Sequence, residues 1–346
     1  MSDFESLASL GWQPFFQQQV LLEEWDTALP ARIIEQHKSE IKVTTGEEII
    51  TLGLTHNMPE MVVGDWLLLD AEKHFSRLLE RKTSFARKAA GSKVHKQLIS
   101  ANVDTTFIVC SMNDDFNLNR IERFLSLVNE SSAEAVVILS KSDQAESPEE
   151  YIQAVQSIDP LLMVEAVNCL DAESIEKLSP WIKQSSTIAV LGSSGVGKST
   201  LTNTLLGKNT QSTNGIREDD SKGKHTTTSR SLIALTAGGL ILDTPGMREI
   251  QLADSKDGIA ATFADIEAFA EQCRFADCGH QGEPGCAIEK AIEAGELDSR
   301  RLANYQKLLK EDALNSASLS ERRASDKALG KFYKTTLAQA TKLKGR

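Results

Sequence analysis

Hydrophobic and polar positions change rhythm twice along the chain. Between residues 31 and 83 the apolar positions fall in short β-type runs, at 31–35, 40–44, 48–52 and 65–70, divided by Gly46, Asn57-Met58-Pro59 and Gly64. Strands so short and so closely spaced predict a small all-β unit. Roughly five of them in about 50 residues suit an OB-type barrel. From residue 104 the pattern alternates. Apolar runs at 104–110, 135–139, 161–167, 187–191 and 239–242 read as buried strands, with helical periodicity at 118–130, 148–158 and 199–206 between them. That alternation predicts a mainly parallel sheet covered by helices on both faces. After residue 253 the pattern is helical, over 258–271, 287–294 and 298–312, with a cysteine cluster between the first two.

These rhythms divide the 346 residues into six parts. They are an N-terminal extension (1–30), an all-β OB-type barrel (31–83), a basic linker (84–100), an α/β domain (101–253), an α-helical domain holding the cysteines (254–312) and a basic tail (313–346). No apolar run approaches the roughly 20 residues of a membrane span. The acidic start Met1-Ser2-Asp3-Phe4-Glu5 lacks a basic n-region and an apolar h-region, so a cytoplasmic protein is expected.

Charge sharpens the picture only when it is located. The net charge of −11 speaks against nucleic acid. Yet Arg81, Lys82, Arg87, Lys88, Lys93 and Lys96 form an acid-free basic stretch, and residues 307–346 carry ten Lys/Arg against four Asp/Glu. Solvated faces or RNA-phosphate contacts both account for such segments.

Three short motifs carry chemistry. Gly192-Ser193-Ser194-Gly195-Val196-Gly197-Lys198-Ser199, followed by Thr200, fits GxxxxGK[ST] between a predicted strand and a predicted helix. Its glycines let backbone N–H groups point at a β-phosphate, and the helix dipole adds to that field. Lys198 reaches the β- and γ-phosphates, and the Ser199 hydroxyl can ligate Mg²⁺. Asp243-Thr244-Pro245-Gly246 ends the next strand, placing Asp243 toward Mg²⁺ and the Gly246 N–H toward the γ-phosphate. Between them, Lys222-Gly223-Lys224-His225-Thr226-Thr227-Thr228 suits a switch loop, with a threonine such as Thr227 closing on Mg²⁺.

Ser140-Lys141-Ser142-Asp143 follows the 135–139 strand and resembles the guanine-reading [NT]KxD motif of Ras-like and translational GTPases. There the Asp accepts two hydrogen bonds from guanine and the Lys stem lies against the base; adenine offers no such donor pair, so Asp143 opposes a P-loop ATPase. Ser140 stands where Asn or Thr is usual. Being shorter than Asn, it is expected to brace the loop less well and to lower nucleotide affinity. The base motif precedes the phosphate loop, the reverse of the Ras-like order, so the nucleotide domain reads as circularly permuted. A compact sheet tolerates relocated termini.

Cys273, Cys278, His280 and Cys286 supply three thiolates and one imidazole within a short stretch, enough for a closed tetrahedral zinc site with a structural role. Cys110 and Cys169 read as core residues.

With barrel, permuted motif order and the C-x4-C-x-H-x5-C cluster together, the chain resembles the RsgA family of ribosome small-subunit-dependent GTPases over roughly residues 31–310. The Ala101-Asn102-Val103-Asp104 lead into the first strand of the α/β domain, the switch at Lys222–Thr228 and Asp243-Thr244-Pro245-Gly246-Met247-Arg248-Glu249 all enter that resemblance. It implies a late small-subunit (30S) assembly factor that binds rRNA near the decoding region and leaves after GTP hydrolysis; one structural zinc, Mg²⁺ with GTP and a monomer are expected beside it. Met247 stands where Ras-like proteins carry the water-orienting glutamine, so a low intrinsic rate is expected, with His225 taking that role once the subunit docks. Ser140, the acidic N-terminus and the net acidity depart from the family pattern. The rival readings are an RNA-binding module that uses GTP only as a clamp, and a GTPase serving another RNA partner.

Overall fold

The computed structural model describes residues 6–88, 96–207, 230–243 and 252–316. His225, Thr227, Gly246, Met247, the rest of the switch loop and the tail beyond Ser316 lie outside them. A short helix α1 (Pro14–Gln17) precedes five strands, β1 (Leu29–Gln36), β2 (Glu40–Thr44), β3 (Ile49–Gly53), β4 (Trp66–Leu69) and β5 (Phe75–Leu78). All pairings among them are antiparallel, with β1 at the centre, bonded to β2 along one stretch and to β4 along another. Trp12, Phe16 and Trp66 pack together beneath, with the Trp12 and Trp66 rings 4.8 Å apart and near perpendicular. That contact brings the aromatic start of the chain into the β core.

The stretch read as a basic linker is not an unstructured spacer. Strands β6 (Ser84–Lys88) and β7 (Lys96–Ala101) pair antiparallel, register Ser84↔Ala101 through Lys88↔Lys96. The α/β half follows with β8 (Thr105–Ser111), α2 (Leu118–Ser131), β9 (Glu134–Ser140), α3 (Pro148–Gln156), β10 (Met163–Val167), α4 (Ala172–Ile175), β11 (Thr187–Gly192), α5 (Lys198–Leu205), β12 (Arg230–Ala234) and β13 (Leu240–Asp243). Spatial order is β10-β9-β8-β11-β13-β12, and all neighbours are parallel except β12, which runs antiparallel to β13. Every residue of β8 is buried, as a strand covered on both faces requires.

Sequence reading missed β12, and with it the join it makes. Glu35 and Gln36 of β1 pair with Ser231 and Arg230, so the N-terminal strands and the parallel strands form one continuous mixed sheet. Arg32 reinforces the seam from inside. Its guanidinium is almost wholly buried and donates to the carbonyls of Leu10, Gly64 and Asn102 and to the Thr187 hydroxyl. Burial pulls its pKa down to about 10, which leaves it charged at neutral pH. Asp104 works alongside: one carboxylate oxygen accepts from the Thr187 N–H at 2.9 Å and the other from Gln13 at 3.0 Å. Asn102 and Asp104 thus explain the polar residues that lead into the first buried strand of the α/β half.

The helical part is α6 (Lys256–Thr262), α7 (Ala264–Ala270), α8 (Ala287–Glu293) and α9 (Ser299–Ser316). The single helix expected over 258–271 is two, broken at Phe263 (φ −114°, ψ 36°), whose fully buried ring anchors the corner. Helix α6 lies hard against α2 because Gly258 has no side chain. A Cβ there would stand 2.1 Å from the Ser126 carbonyl oxygen. Glu122 of α2, fully buried, receives Arg300, Arg301 and Asn304 of α9. Burial opposes charge on Arg301, but Asp265 and Glu122 hold its pKa above the usual value. No described helix is long and apolar enough to cross a membrane.

Candidate nucleotide-binding site and metal centre

Parallel strands carry their C-terminal ends to one edge of a sheet, and ligands of open α/β sheets bind there. Here β9, β11 and β13 end in Ser140, Gly192 and Asp243, so the three sequence motifs meet at one edge despite their order in the chain.

The phosphate loop runs from Gly192 to Gly197 and passes into α5 at Lys198. Gly192 has φ 144°, and a Cβ on it would come within 2.3 Å of the Val109 carbonyl oxygen on β8, so only glycine fits beside that strand. Ser194 and Gly195 are exposed at the crest, while Val196 is buried beneath it. Lys198 folds back and donates its ammonium to the Ser193 carbonyl. Ser199 and Thr200 occupy the first turn of α5.

Ser140 does more than its length suggested. It is fully buried, and its hydroxyl donates to the Val196 carbonyl at 2.6 Å. The loop backbone approaches closely enough for a serine to reach it. Lys141 then takes a left-handed conformation (φ 60°), turning the chain into a short 3-10 turn over Ser142–Gln144. Asp143 stands exposed on this turn, and its carboxylate accepts no hydrogen bond among the described residues.

One segment was missed. The turn Asn168-Cys169-Leu170 follows β10 directly, and Thr204 of α5 donates to the Cys169 carbonyl at 2.7 Å. Cys169 also lies close enough to Asp143 and Lys141 to feel both charges. Burial first, then Asp143, push its thiol up to about 12, and Cys169 is buried as the core residue expected. Strand order was the available signal, because whatever follows β10 must abut whatever follows β9. Cys110 is likewise a buried thiol with a raised pKa, chiefly from burial.

The metal-type cluster assembles as its spacing foretold. Donor atoms of Cys273, Cys278, His280 and Cys286 all lie within 4.8 Å of one another. His280 Nδ1 stands 3.7 Å from Cys273 Sγ and 3.5 Å from Cys286 Sγ. Donors at about 2.0–2.3 Å from a tetrahedral centre lie roughly 3.5–3.8 Å apart, so the residues fit a zinc-type ion. The chemistry fits too. The backbone N–H of His280 lowers the Cys278 pKa, yet burial and the adjoining Cys286 and Cys273 thiols drive it up to about 11. Glu283 orders the loop by accepting from the N–H groups of Gly279 (3.0 Å) and Gln281 (2.6 Å).

Arg230 lies near Arg87 of β6. Burial first, and Arg87 next, lower the Arg230 pKa, with Glu60 opposing. Arg81 is instead neutralised by buried Asp65, in a two-pronged pair at 2.7 and 2.8 Å.

The comparisons agree with this geometry. The family model described as RsgA GTPase matches residues 78–253. The chain is 54% identical over 342 residues to "Small ribosomal subunit biogenesis GTPase RsgA 2" of Vibrio parahaemolyticus, covering 99% of this chain and 96% of that one. It is 43% identical to "Small ribosomal subunit biogenesis GTPase RsgA" of Xanthomonas axonopodis pv. citri, covering 94% and 93%. Among solved structures, YjeQ from Thermotoga maritima superposes with a TM-score of 0.60 at 24% identity, covering 82% of this chain and 98% of that one. YloQ, described as a circularly permuted GTPase, gives 0.59 at 24%, covering 84% and 96%. These likenesses show the fold, a circularly permuted one with a mixed sheet.

Proposed function

The chain belongs to the RsgA GTPase family, whose membership carries GTP hydrolysis, and we propose that it is a ribosome-activated GTPase of late small-subunit (30S) assembly. Hydrolysis to GDP and phosphate drives its own release. The names of its relatives, which speak of small ribosomal subunit biogenesis, supply the partner. The observation that carries the chemistry is the Ser140–Val196 bond, which couples a guanine-reading turn to a phosphate loop at one sheet edge.

Guanine lies between the Lys141 stem and the exposed Asp143 carboxylate, which accepts from its two donors. Ser140 fixes that turn against the loop. The N–H groups of Gly192, Ser193, Ser194, Gly195, Val196 and Gly197 face the phosphates, with Lys198, Ser199 and Thr200 opening α5 behind them. Lys198 exchanges its Ser193 carbonyl for phosphate oxygens. Ser199, Asp243 and Thr227 would hold Mg²⁺, which would supply charge neutralisation at the transferring phosphoryl group. Gly246 meets the γ-phosphate. With Met247 unable to orient water, His225 does so only after docking, and the intrinsic rate is low.

The remaining parts serve the partner. Strands β1–β5 form an OB-type barrel, and with Arg87 and Arg230 on the hairpin side they face rRNA; the basic tail adds phosphate contacts. Cys273, Cys278, His280 and Cys286 hold one structural zinc ion. The protein works in the cytoplasm as a monomer. Boundaries follow the six parts given above, with 84–101 acting as a hairpin between barrel and nucleotide domain.

Co-sedimentation tests the partner. In the presence of a non-hydrolysable GTP analogue the protein should pellet with small subunits and not with large ones, and GDP should release it. Equal pelleting with both nucleotides would instead favour an RNA-binding module that does not use hydrolysis for release.

A further inference from the structure

Helix α2 touches both the phosphate loop and the C-terminal helices, and Arg120 makes the first of these contacts. From the first turn of α2 its guanidinium donates to the Ser193 hydroxyl at 2.9 Å. Asp115 holds the same group, both carboxylate oxygens lying 2.8 Å away. Asp115 is itself placed by the loop after β8, where Asn113 accepts from the Ser111 hydroxyl and from the Asp115 N–H. Asn117 caps the helix by accepting from the Arg120 N–H. An exposed Asp–Arg pair alone contributes little. This one differs because the same guanidinium nitrogen that meets Asp115 also reaches the Ser193 hydroxyl. Ser193 is therefore gripped twice, through its carbonyl by Lys198 and through its hydroxyl by Arg120.

Neighbouring residues of α2 are committed to the C-terminal helices. Two residues on from Arg120, about 200° around the helix, Glu122 takes Arg300, Arg301 and Asn304 of α9. Arg123 pairs with Glu311 of α9 at 2.7 Å, and Asn129 donates to Thr262 of α6 at 2.9 Å. Within one turn of Arg120, then, Asn119, Glu122 and Arg123 engage α9, while Asn129 and Glu130 near the far end of the 14-residue helix engage α6.

We propose that Arg120 is a positioning residue for the phosphate loop, and that through it α2 conveys nucleotide occupancy to α9 and the metal-holding helical part. The inference rests on the nucleotide site proposed above. When phosphates draw Lys198 away from the Ser193 carbonyl, the loop keeps its Arg120 anchor, and any shift of Ser193 is delivered to α2. A helix that makes both contacts can couple sites only if both respond to the same equilibrium.

The test uses the full-length protein and fluorescently labelled GDP. Arg120→Ala and Ser193→Ala should each weaken GDP binding about fivefold, the double variant should be no weaker than either single one, and Arg120→Lys should recover part of the loss. Non-additivity of this form marks a shared interaction. Hydrogen exchange supplies the readout that a merely structural role would leave unmoved. GDP should slow amide exchange in α9 of the wild type and fail to do so in Arg120→Ala. Losses that multiply in the double variant, GDP affinity in Arg120→Ala equal to wild type, or α9 protection that persists without Arg120 would each overturn the proposal. A wild type that binds no GDP would instead defeat the nucleotide site itself.

Discussion

The Ser140 hydroxyl donates to the Val196 carbonyl at 2.6 Å, joining the first residue of the base-reading turn to a phosphate loop 56 positions later in the chain. Both residues are buried, and a Cβ on Gly197 would stand 3.6 Å from the same hydroxyl oxygen. The bond thus sits between the two halves of the proposed nucleotide site.

Removing it should be felt in binding more than in folding. Ser140→Ala takes a donor from a buried carbonyl, a loss of about 1–3 kcal/mol, part of which appears as weaker nucleotide affinity. Titration with labelled GDP should show roughly tenfold weakening, about 1.4 kcal/mol. Unchanged affinity would mean that the loop is held without Ser140.

Base choice should follow Asp143. Its carboxylate is exposed and accepts no hydrogen bond among the described residues, so it is available to a ligand. Asp143→Asn should lose GTP binding by about 100-fold, near 2.7 kcal/mol, and gain preference for xanthosine triphosphate, because an amide complements the xanthine edge. Competition between the two nucleotides measures this. A variant that still prefers GTP would remove Asp143 from the base site.

The α2–α6 contact should be intolerant of any side chain at residue 258. Gly258→Ala puts a methyl 2.1 Å from the Ser126 oxygen, so α6 must move away. Overpacking of this kind costs about 1–3 kcal/mol, read as a lower midpoint in urea denaturation. Wild-type stability would show that α6 sits farther from α2.

Metal removal should expose three thiols and no more. With the ion bound, Cys273, Cys278 and Cys286 resist alkylation; after chelation they react, while Cys110 and Cys169 do not. The Cys169 thiol, pushed up to about 12, stays protonated at pH 8 and is buried besides. Intact-mass analysis after maleimide treatment counts the labels. Labelling of Cys273, Cys278 and Cys286 before chelation would exclude them as ligands.

Much of this was legible in the chain, for identifiable reasons. Strands such as β2 and β11 and helices such as α2 show local periodicity, and motif chemistry depends on neighbours in sequence. What stayed hidden depended on distant neighbours. The run Arg230-Ser231-Leu232-Ile233-Ala234 is only half apolar, and becomes a strand because β13 on one side and β1 on the other supply ladder partners. The break at Phe263 carries no glycine or proline; it exists because a buried ring turns the corner. The hairpin 84–101 was obscured by its basic charge, although Phe85, Ile99 and Ala101 face inward. The Ser140–Val196 contact was hidden for the same reason as β12: side-chain length is visible in sequence, but the approach of Val196 is not.

The most direct test of the account is GTP turnover by the purified protein, measured alone, with small ribosomal subunits and with large ones. The account predicts slow turnover alone, strong stimulation by small subunits only, and loss of that stimulation in His225→Ala without loss of nucleotide binding. Turnover that small subunits leave unchanged, or that large subunits stimulate equally, would contradict it.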